Sequence, residues 1–275
     1  MIISRGNSEA EISASGGYIM KLKLDGNSIL SPGDISQKTH GGCAILFPFP
    51  NRIRSASYVW NGINYHLKPN DGINAIHGLV NAMEFRVEKH ETSSLTLSGT
   101  LSDSGYPSTL DIRLNYSLGI SSLKFSLEAM NTGNSSCPVS FGMHPYFLHG
   151  GYWSLRGPDT YRFMGYKDGY FPDGTYSIID QEELSSQSGR SFDNCFELES
   201  GIELVTALHK MLISGNHNRY YVIYNGKWAG KSSVALEPMS APPDSFNNRI
   251  GIIELNPGMS VTFEEKFTVS KQGIL

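Results

Sequence analysis

Cysteine is scarce in this 275-residue sequence, and no run of apolar residues is long enough to cross a bilayer. The three cysteines form no CxxC pair, and an odd number cannot all be joined in disulfides, which argues against a disulfide-stabilised secreted domain. A spanning helix needs about 20 apolar residues, and the N-terminal segment lacks the apolar core of a signal peptide. We therefore expect a cytoplasmic protein without a membrane partner.

Blocks of like charge are also absent. Lys and Arg number 22 and Asp and Glu number 26, so the formal net charge is −4. Proteins that bind nucleic acids usually carry a clustered basic excess. No nucleic-acid partner is therefore expected, and nothing in the composition indicates the oligomeric state.

The short motifs of cofactor and nucleophile chemistry are missing as well. The sequence contains no GxGxxG, no phosphate-binding GxxxxGK[ST], no HExxH and no GxSxG. We therefore expect neither a cofactor nor a metal. Carboxylates and histidines remain, and these side chains are suited to proton transfer.

What the sequence does contain is alternation of apolar and polar residues. Residues 109–118 place apolar side chains at every second position, residues 121–132 do the same, and a short turn connects the two segments. Similar segments recur roughly every 8–12 residues, which is typical of antiparallel sandwiches and barrels. Because no linker divides the chain, we predict an all-β fold with a single domain over residues 1–275. Short helical turns are expected only in residues 180–187 and 242–249.

Three segments, residues 41–53, 140–151 and 235–248, depart from this alternation. Each combines prolines and aromatic residues with a polar side chain near the end of an apolar stretch. Proline inside a strand pattern usually marks an edge strand or a loop. Loops that are rich in apolar residues and carry a few polar groups tend to line pockets. These segments therefore indicate where a binding site lies.

The polar residues of these segments and of two further loops are the candidates for chemistry: Arg52, His77, His144, Asp193 and Glu237. Glu237 ends the apolar stretch SSVALE and is followed by Pro238, so its carboxylate is expected to project from a strand end. An ion-paired edge glutamate and a histidine buried in the core are the competing interpretations of Glu237 and His144. Taken singly, each residue is a weak signal.

Taken together and in order, the segments resemble the aldose 1-epimerase (galactose mutarotase) family. The likeness covers residues 41–248 and rests on FPFPNRI with Arg52, NDGINAIHG with His77, GMHPYF with His144, FDNCFEL with Asp193 and LEPMSAPPDSFNN with Glu237. The resemblance implies a large antiparallel super-sandwich with its site on the concave face. It also implies a monosaccharide substrate, whose α and β anomers are interconverted without a cofactor.

The resemblance further implies a role for each candidate. Glu237 would be the general base and His144 the general acid, facing each other across a cleft wide enough for one pyranose ring. His77 would assist catalysis, and Arg52 and Asp193 would bind sugar hydroxyls. Aromatic residues would pack against the C–H face of the sugar: Tyr146, Phe47, Phe49 and Phe147, each of which is as readily interpreted as a core residue.

Departures from the family pattern leave other functions open. Met143 precedes His144, where many relatives have asparagine, so galactose specificity is not implied. Some relatives act on hexose 6-phosphates, and a phosphate would then meet Arg54, Arg86 or Arg249. A non-catalytic carbohydrate-binding protein on the same fold is the alternative from another class. A glycosidase or lyase would need a second catalytic group opposite Glu237.

Overall fold

Two large antiparallel β-sheets dominate the computed structural model, which describes residues 1–270. The first strands are β1 (Ile2–Arg5), β2 (Ser8–Ile12), β3 (Ile19–Leu24), β4 (Asn27–Ser28), β5 (Cys43–Leu46), β6 (Arg52–Ile53), β7 (Ser57–Trp60), β8 (Ile63–His66), β9 (Ala75–Ile76), β10 (Arg86–His90), β11 (Ser94–Leu101), β12 (Leu110–Leu118) and β13 (Ser122–Asn131). The others are β14 (Cys137–Val139), β15 (Gly142–Leu148), β16 (Trp153–Arg156), β17 (Thr160–Lys167), β18 (Phe171–Asp180), β19 (Asp193–Glu197), β20 (Ile202–Thr206), β21 (Lys210–Gly215), β22 (Tyr220–Tyr224), β23 (Ser233–Met239), β24 (Ile253–Leu255) and β25 (Ser260–Ser270).

The larger sheet has 11 strands in the order β1-β2-β3-β5-β15-β23-β22-β19-β17-β18, with β4 added beside β3. The second sheet has eight strands in the order β10-β11-β12-β13-β25-β21-β20-β16. Three two-stranded pairs, β14-β24, β6-β9 and β7-β8, complete the pairing. The predicted all-β antiparallel super-sandwich is therefore confirmed.

Helices are confined to single turns. One α-helical turn, α1 (Ser245–Asn248), and three 3-10 turns, Arg54–Ala56, Val80–Ala82 and Gln181–Glu183, occur among residues 1–270. Both predicted helical turns are thus present, but the turns Arg54–Ala56 and Val80–Ala82 lie outside the two segments to which helical turns were expected to be confined. None of these helices is long and apolar enough to cross a membrane. The three cysteines are buried and unpaired. A single domain over residues 1–275 stays a prediction, and its last five residues lie outside the described part of the chain.

The alternation that predicted the strands also builds the core. In β12 every apolar position is buried and the polar positions between them are exposed or half-buried. β13 follows the same alternation from Leu123 to Ala129. Aromatic rings then join the two sheets. Phe263 of β25 lies 5.2 Å from the stacked ring of Phe141 and 6.2 Å from Phe47, which both belong to the larger sheet's side of the core. Phe125 of β13 stacks on the same Phe141 ring at 5.9 Å.

Proline is found at the centre of the larger sheet, which differs from the edge or loop position expected for it. β15 and β23 pair at Gly142 with Met239 and again at Tyr146 with Ala235, and three residues of each strand between these pairs have no ladder partner across this interface. Pro145 and Pro238 lie in this interval, and neither can donate a backbone hydrogen bond. Pairing continues on the outer sides, with β5 and with β22, so both strands stay inside the sheet.

We expect Phe263→Ala to lower the free energy of unfolding by about 3–5 kcal/mol, because it removes a ring that contacts both sheets and leaves a cavity between them. Urea unfolding monitored by circular dichroism measures this loss. Ile178→Ala is the matched control, since Ile178 is 64% exposed, and it should change stability by about 0.5 kcal/mol or less. Equal effects of the two substitutions would contradict this account of the core.

Candidate active site

The two central strands bring the candidate acid and base together. In β15 the side chains alternate, so Met143 and Phe147 belong to the core while His144 and Tyr146 face the other way. Glu237 of β23 lies between the pairs Gly142–Met239 and Tyr146–Ala235, at the level of His144 on the neighbouring strand. Their side chains therefore emerge side by side on the face of the sheet that does not pack against the second sheet.

His144 and Glu237 are in direct contact. His144 Nε2 lies 3.3 Å from Glu237 Oε1, and the two side chains are 7% and 3% exposed. The His144 ring also stacks on Tyr146, with ring centres 4.8 Å apart and planes 14° apart. The separation differs from the expected one, because 3.3 Å leaves no room for a pyranose ring between these two atoms. We refer to His144 and Glu237 as the acid–base pair.

Burial leaves polar atoms of this pair without protein partners. Neither His144 Nδ1 nor Glu237 Oε2 has a hydrogen-bond partner among the described residues. Burial raises the pKa of Glu237 well above its usual range; the charge of Asp193 adds to this rise, and the charge of Arg52 opposes it. Burial lowers the pKa of His144 to about 3. Both shifts favour the uncharged forms, so the unliganded pair holds one proton on the carboxyl group rather than forming an ion pair.

His77 is a half-buried side chain beside the acid–base pair. Its ring is edge-on to His144 with the ring centres 5.1 Å apart, and burial lowers its pKa well below the usual value. Its backbone has φ 64°, a left-handed conformation that is uncommon for histidine, and its N–H donates to the Asn51 carbonyl at 2.9 Å. The following Gly78 is required sterically, because a Cβ there would lie 2.3 Å from the Phe47 carbonyl oxygen.

Arg52 is held by an acidic partner that the sequence did not indicate. Its Nε donates to Asp71 Oδ2 at 2.6 Å, and its guanidinium lies over the Tyr170 ring at 4.1 Å. Arg52 makes no direct ion pair with Glu237 among the described residues and acts on its pKa only through its charge. One edge of the guanidinium is thus fixed, and its remaining N–H groups have no partner in residues 1–270.

Asp193 and Tyr146 lie on the same face of the sheet as the acid–base pair, two residues further along their strands. The register pairs Tyr146 with Ala235 and Tyr224 with both Ala235 and Asp193, which places the four side chains in one line across the sheet. The two tyrosine rings meet edge to face beside the small Ala235, with their centres 6.5 Å apart. Partial loss of contact with water raises the pKa of Asp193, and the charge of Arg52 opposes this rise.

A cavity of about 420 Å³ opens above this face of the sheet. All six predicted site residues line it: Arg52, His77, His144, Tyr146, Asp193 and Glu237. It is also lined by residues that the sequence analysis missed: Thr39, His40, Asn51, Asn70, Asp71, Ile76, Tyr170, Tyr224 and Trp228. Asp71 stands in the quoted NDGINAIHG segment, and Trp228 is a large aromatic in a polar loop, so both carried a signal that was not used.

Other residues considered from the sequence lie elsewhere. Phe47, Phe49 and Phe147 belong to the hydrophobic core and do not line the cavity. Of the three arginines considered for a phosphate, Arg54 lies 3.6 Å from the Asp244 carboxylate, Arg86 stands on β10 of the second sheet, and Arg249 donates to the Val59 carbonyl. None of the three lines the cavity.

The cavity therefore has more carboxylates than cations. Asp71 and Asp193 line it as carboxylates beside the protonated Glu237, whereas Arg52 is the single arginine or lysine among its lining residues in the described part of the chain. No group of three or more His, Cys, Asp or Glu side chains in residues 1–270 is arranged to hold a metal ion. Chemically, the arrangement offers a proton donor and a proton acceptor in contact, surrounded by groups that bind hydroxyls.

Comparison with known proteins identifies a family. The model of the aldose 1-epimerase family matches residues 1–268. The uncharacterised protein YihR of Escherichia coli is 26% identical over 277 residues, covering 93% of this chain and 88% of YihR. The aldose 1-epimerase of Escherichia coli is 28% identical over 151 residues, which cover 53% of this chain and 42% of that enzyme.

Solved structures agree in fold over nearly the whole chain. A galactose mutarotase-like protein from Clostridium acetobutylicum matches with a TM-score of 0.86 at 19% identity, covering 98% of this chain and 95% of that one. A GalM/aldose epimerase homologue from C. elegans matches with a TM-score of 0.83 at 17% identity, covering 99% of both chains. At such identities, these likenesses show a shared architecture.

We expect Glu237→Gln to stabilise the protein, by about 1 kcal/mol at pH 8 and by less at pH 5. A carboxyl group with a raised pKa in the folded state loses its proton more readily when unfolded, so native stability falls as pH rises from the unfolded pKa through the folded one. Glutamine removes this loss. Urea unfolding at the two pH values measures the difference.

The matched control is Glu264→Gln, which changes an exposed glutamate of β25. It should alter stability by about 0.5 kcal/mol or less at either pH. A Glu237→Gln variant that is less stable than the wild type at pH 8 would contradict the description of Glu237 as a buried carboxyl group with a raised pKa.

Proposed function

The chain belongs to the aldose 1-epimerase family, and from that premise we propose that it is a mutarotase, an isomerase that interconverts the α and β anomers of an unphosphorylated aldohexose. The observation that carries the proposal is the acid–base pair. His144 Nε2 and Glu237 Oε1 are 3.3 Å apart at the floor of a cavity that is open to solvent. The buried, unpaired cysteines fit a reducing compartment, and we place the enzyme in the cytoplasm.

Ring opening requires two proton transfers at neighbouring atoms. The anomeric hydroxyl loses its proton while the ring oxygen gains one, and the C1–O5 bond breaks. Both oxygens are bonded to the same carbon, so the acid and the base need not stand on opposite sides of a sugar ring. Two side chains in contact can reach both oxygens of a sugar that lies above them.

The acid–base pair carries one transferable proton in either of its tautomers. As an ion pair, Glu237 accepts the proton of the anomeric hydroxyl and protonated His144 donates to the ring oxygen, which leaves a neutral glutamic acid and a neutral histidine. Rotation about the C1–C2 bond then exposes the other face of the aldehyde. On closure, His144 accepts the proton of the O5 hydroxyl and Glu237 donates to the carbonyl oxygen, so the pair returns to its starting form.

The surrounding groups support this exchange. Arg52 lowers the cost of the charged Glu237 that the ion-pair tautomer requires, while the burial of both side chains favours the neutral tautomer of the unliganded pair. The rigid His144–Tyr146 stack fixes one ring of the pair. His77 contacts the pair edge-on and, with Arg52 and Asp193, offers hydrogen bonds to the sugar. Tyr146 and Tyr224 present aromatic surface to its C–H groups.

An unphosphorylated sugar is favoured by the charge of the cavity. Two carboxylates, Asp71 and Asp193, and the protonated Glu237 line it, against one arginine whose Nε is engaged by Asp71. A phosphate dianion placed among these carboxylates would be repelled. A hexose-6-phosphate mutarotase, the runner-up of the same class, is therefore disfavoured, because Arg54, Arg86 and Arg249 lie outside the cavity.

The central experiment follows anomer exchange in freshly dissolved α-D-glucose, α-D-galactose and glucose 6-phosphate by NMR exchange spectroscopy or polarimetry. We expect the wild type to accelerate exchange of at least one free hexose. Glu237→Gln and His144→Asn should each lower kcat/KM by about 10²–10⁴, because each removes one positioned proton-transfer group. Glucose 6-phosphate should react at least about tenfold more slowly than that hexose, because its phosphate would lie among the cavity carboxylates.

Arg86→Gln is the matched control, since Arg86 stands on the second sheet, and it should retain wild-type rates with each sugar. A protein that binds sugars but does not accelerate exchange would instead be the carbohydrate-binding alternative. A preference for glucose 6-phosphate would refute the assignment of an uncharged substrate.

The pH dependence tests the single shared proton. With the protein-free rate subtracted, kcat/KM should be flat below the raised pKa of Glu237 and should fall as pH rises above it, because the pair then loses its only proton and has no acid. Polarimetry in a series of buffers measures this profile. A kcat/KM that rises steadily with pH through the neutral range would show a carboxylate base acting alone and would contradict the shared-proton mechanism.

A further inference from the structure

A third histidine lies at the mouth of the cavity and takes no part in the mechanism above. His40 lies in the loop that precedes β5, where its N–H donates to the Gln37 carbonyl at 2.9 Å. It lines the same cavity as His77 and His144. His40 is therefore close to the catalytic centre without touching the acid–base pair.

One hydrogen bond fixes the protonation of the His40 ring. Its Nδ1 lies 2.7 Å from Gln37 Oε1. An amide oxygen only accepts hydrogen bonds, so Nδ1 carries the proton and Nε2 of the neutral ring is an acceptor. Partial burial and the charge of Lys227 lower the pKa of His40, which keeps the ring neutral at neutral pH. No group in residues 1–270 hydrogen-bonds Nε2.

Stacking fixes the plane of the ring. His40 and Trp228 have ring centres 3.9 Å apart and planes 10° apart, and we call these two residues the rim stack. Lys227 Nζ lies 4.4 Å from the centre of the Trp228 ring. Because His40 already covers one face of Trp228 at van der Waals distance, the lysine is assigned to the opposite face. The indole ring thus has His40 on one face and Lys227 on the other.

The rim stack is attached to the floor of the cavity on both sides. The Tyr146 hydroxyl donates to the Thr39 carbonyl at 2.7 Å, next to His40. The backbone N–H of Trp228 donates to the Tyr224 hydroxyl at 3.1 Å. Both tyrosines project from the central sheet into the cavity. A loop histidine is thus positioned by strand residues, which is the kind of support that preorganised binding groups have.

From these contacts we propose that His40 Nε2 accepts a hydrogen bond from one hydroxyl of the sugar other than the anomeric one, and that it thereby selects among aldohexoses. The inference rests on the proposed function, since it assigns a specificity residue to the same site. A hydroxyl can donate to this nitrogen, whereas a sugar with hydrogen at that position leaves the interaction unmade. His40 is a substrate-binding residue in this role and transfers no proton.

The test compares the wild type with His40→Phe on D-glucose and on its 2-, 3-, 4- and 6-deoxy analogues. Phenylalanine keeps an aromatic ring against Trp228 and lacks the acceptor nitrogen. We expect kcat/KM for D-glucose to fall about tenfold, as for loss of one hydrogen bond. For one deoxy analogue the fall should be about twofold or less, because that analogue never made the bond.

His66→Ala is the control, since His66 is an exposed histidine of β8 that does not line the cavity. It should leave all five rates unchanged. A His40→Phe loss of equal size on every sugar would show that His40 only holds the loop, and no loss on any sugar would show that it makes no contact. Either result overturns the proposal.

A binding measurement separates this proposal from the proposed function. Dissociation constants for D-glucose are measured by calorimetry in Glu237→Gln and in Glu237→Gln combined with His40→Phe. If the wild type turns over no sugar, the mutarotase proposal fails, while about tenfold weaker binding in the double variant would still support the contact. Equal binding by the two variants, or no binding by either, overturns the role of His40.

Discussion

The candidate active site depends on the burial of an ionisable pair in the middle of a β-sheet. Glu237 and His144 stand where the ladder between β15 and β23 is interrupted, and the two prolines in that interval remove backbone donors that would otherwise need partners at the same place. Because both side chains are withdrawn from water, the pKa of each moves toward the neutral form. The burial of such a pair lowers the stability of the folded protein, as is typical of catalytic sites. The large aromatic core between the sheets compensates for this loss.

Much of the fold was predictable because alternation of side chains is a local property. β12, β13 and β25 follow from period-two patterns that any half-buried antiparallel strand shows. β15 and β23 were harder to interpret, because they are buried on both faces and contain proline. Such strands have neither alternation nor the usual composition, so the residues that carry the chemistry lie in the segments where local patterns are least informative.

The candidate site was predictable as a set of residues but not as a geometry. Arg52, His77, His144, Asp193 and Glu237 came from a resemblance between ordered segments, and they line one cavity. The 3.3 Å contact within the acid–base pair depends on strand register across the sheet, which no local pattern encodes. The cavity also depends on loops from distant parts of the chain.

The acid–base pair sits on strands, while Arg52, Asp71 and the rim stack come from connecting segments or from the strand ends beside them. This division has an evolutionary consequence. Under the proposed function, insertions and substitutions in the connections alter which sugar fits, while the hydrogen-bonded strands keep the acid–base pair in place. Sugar preference and proton transfer can then change independently in evolution.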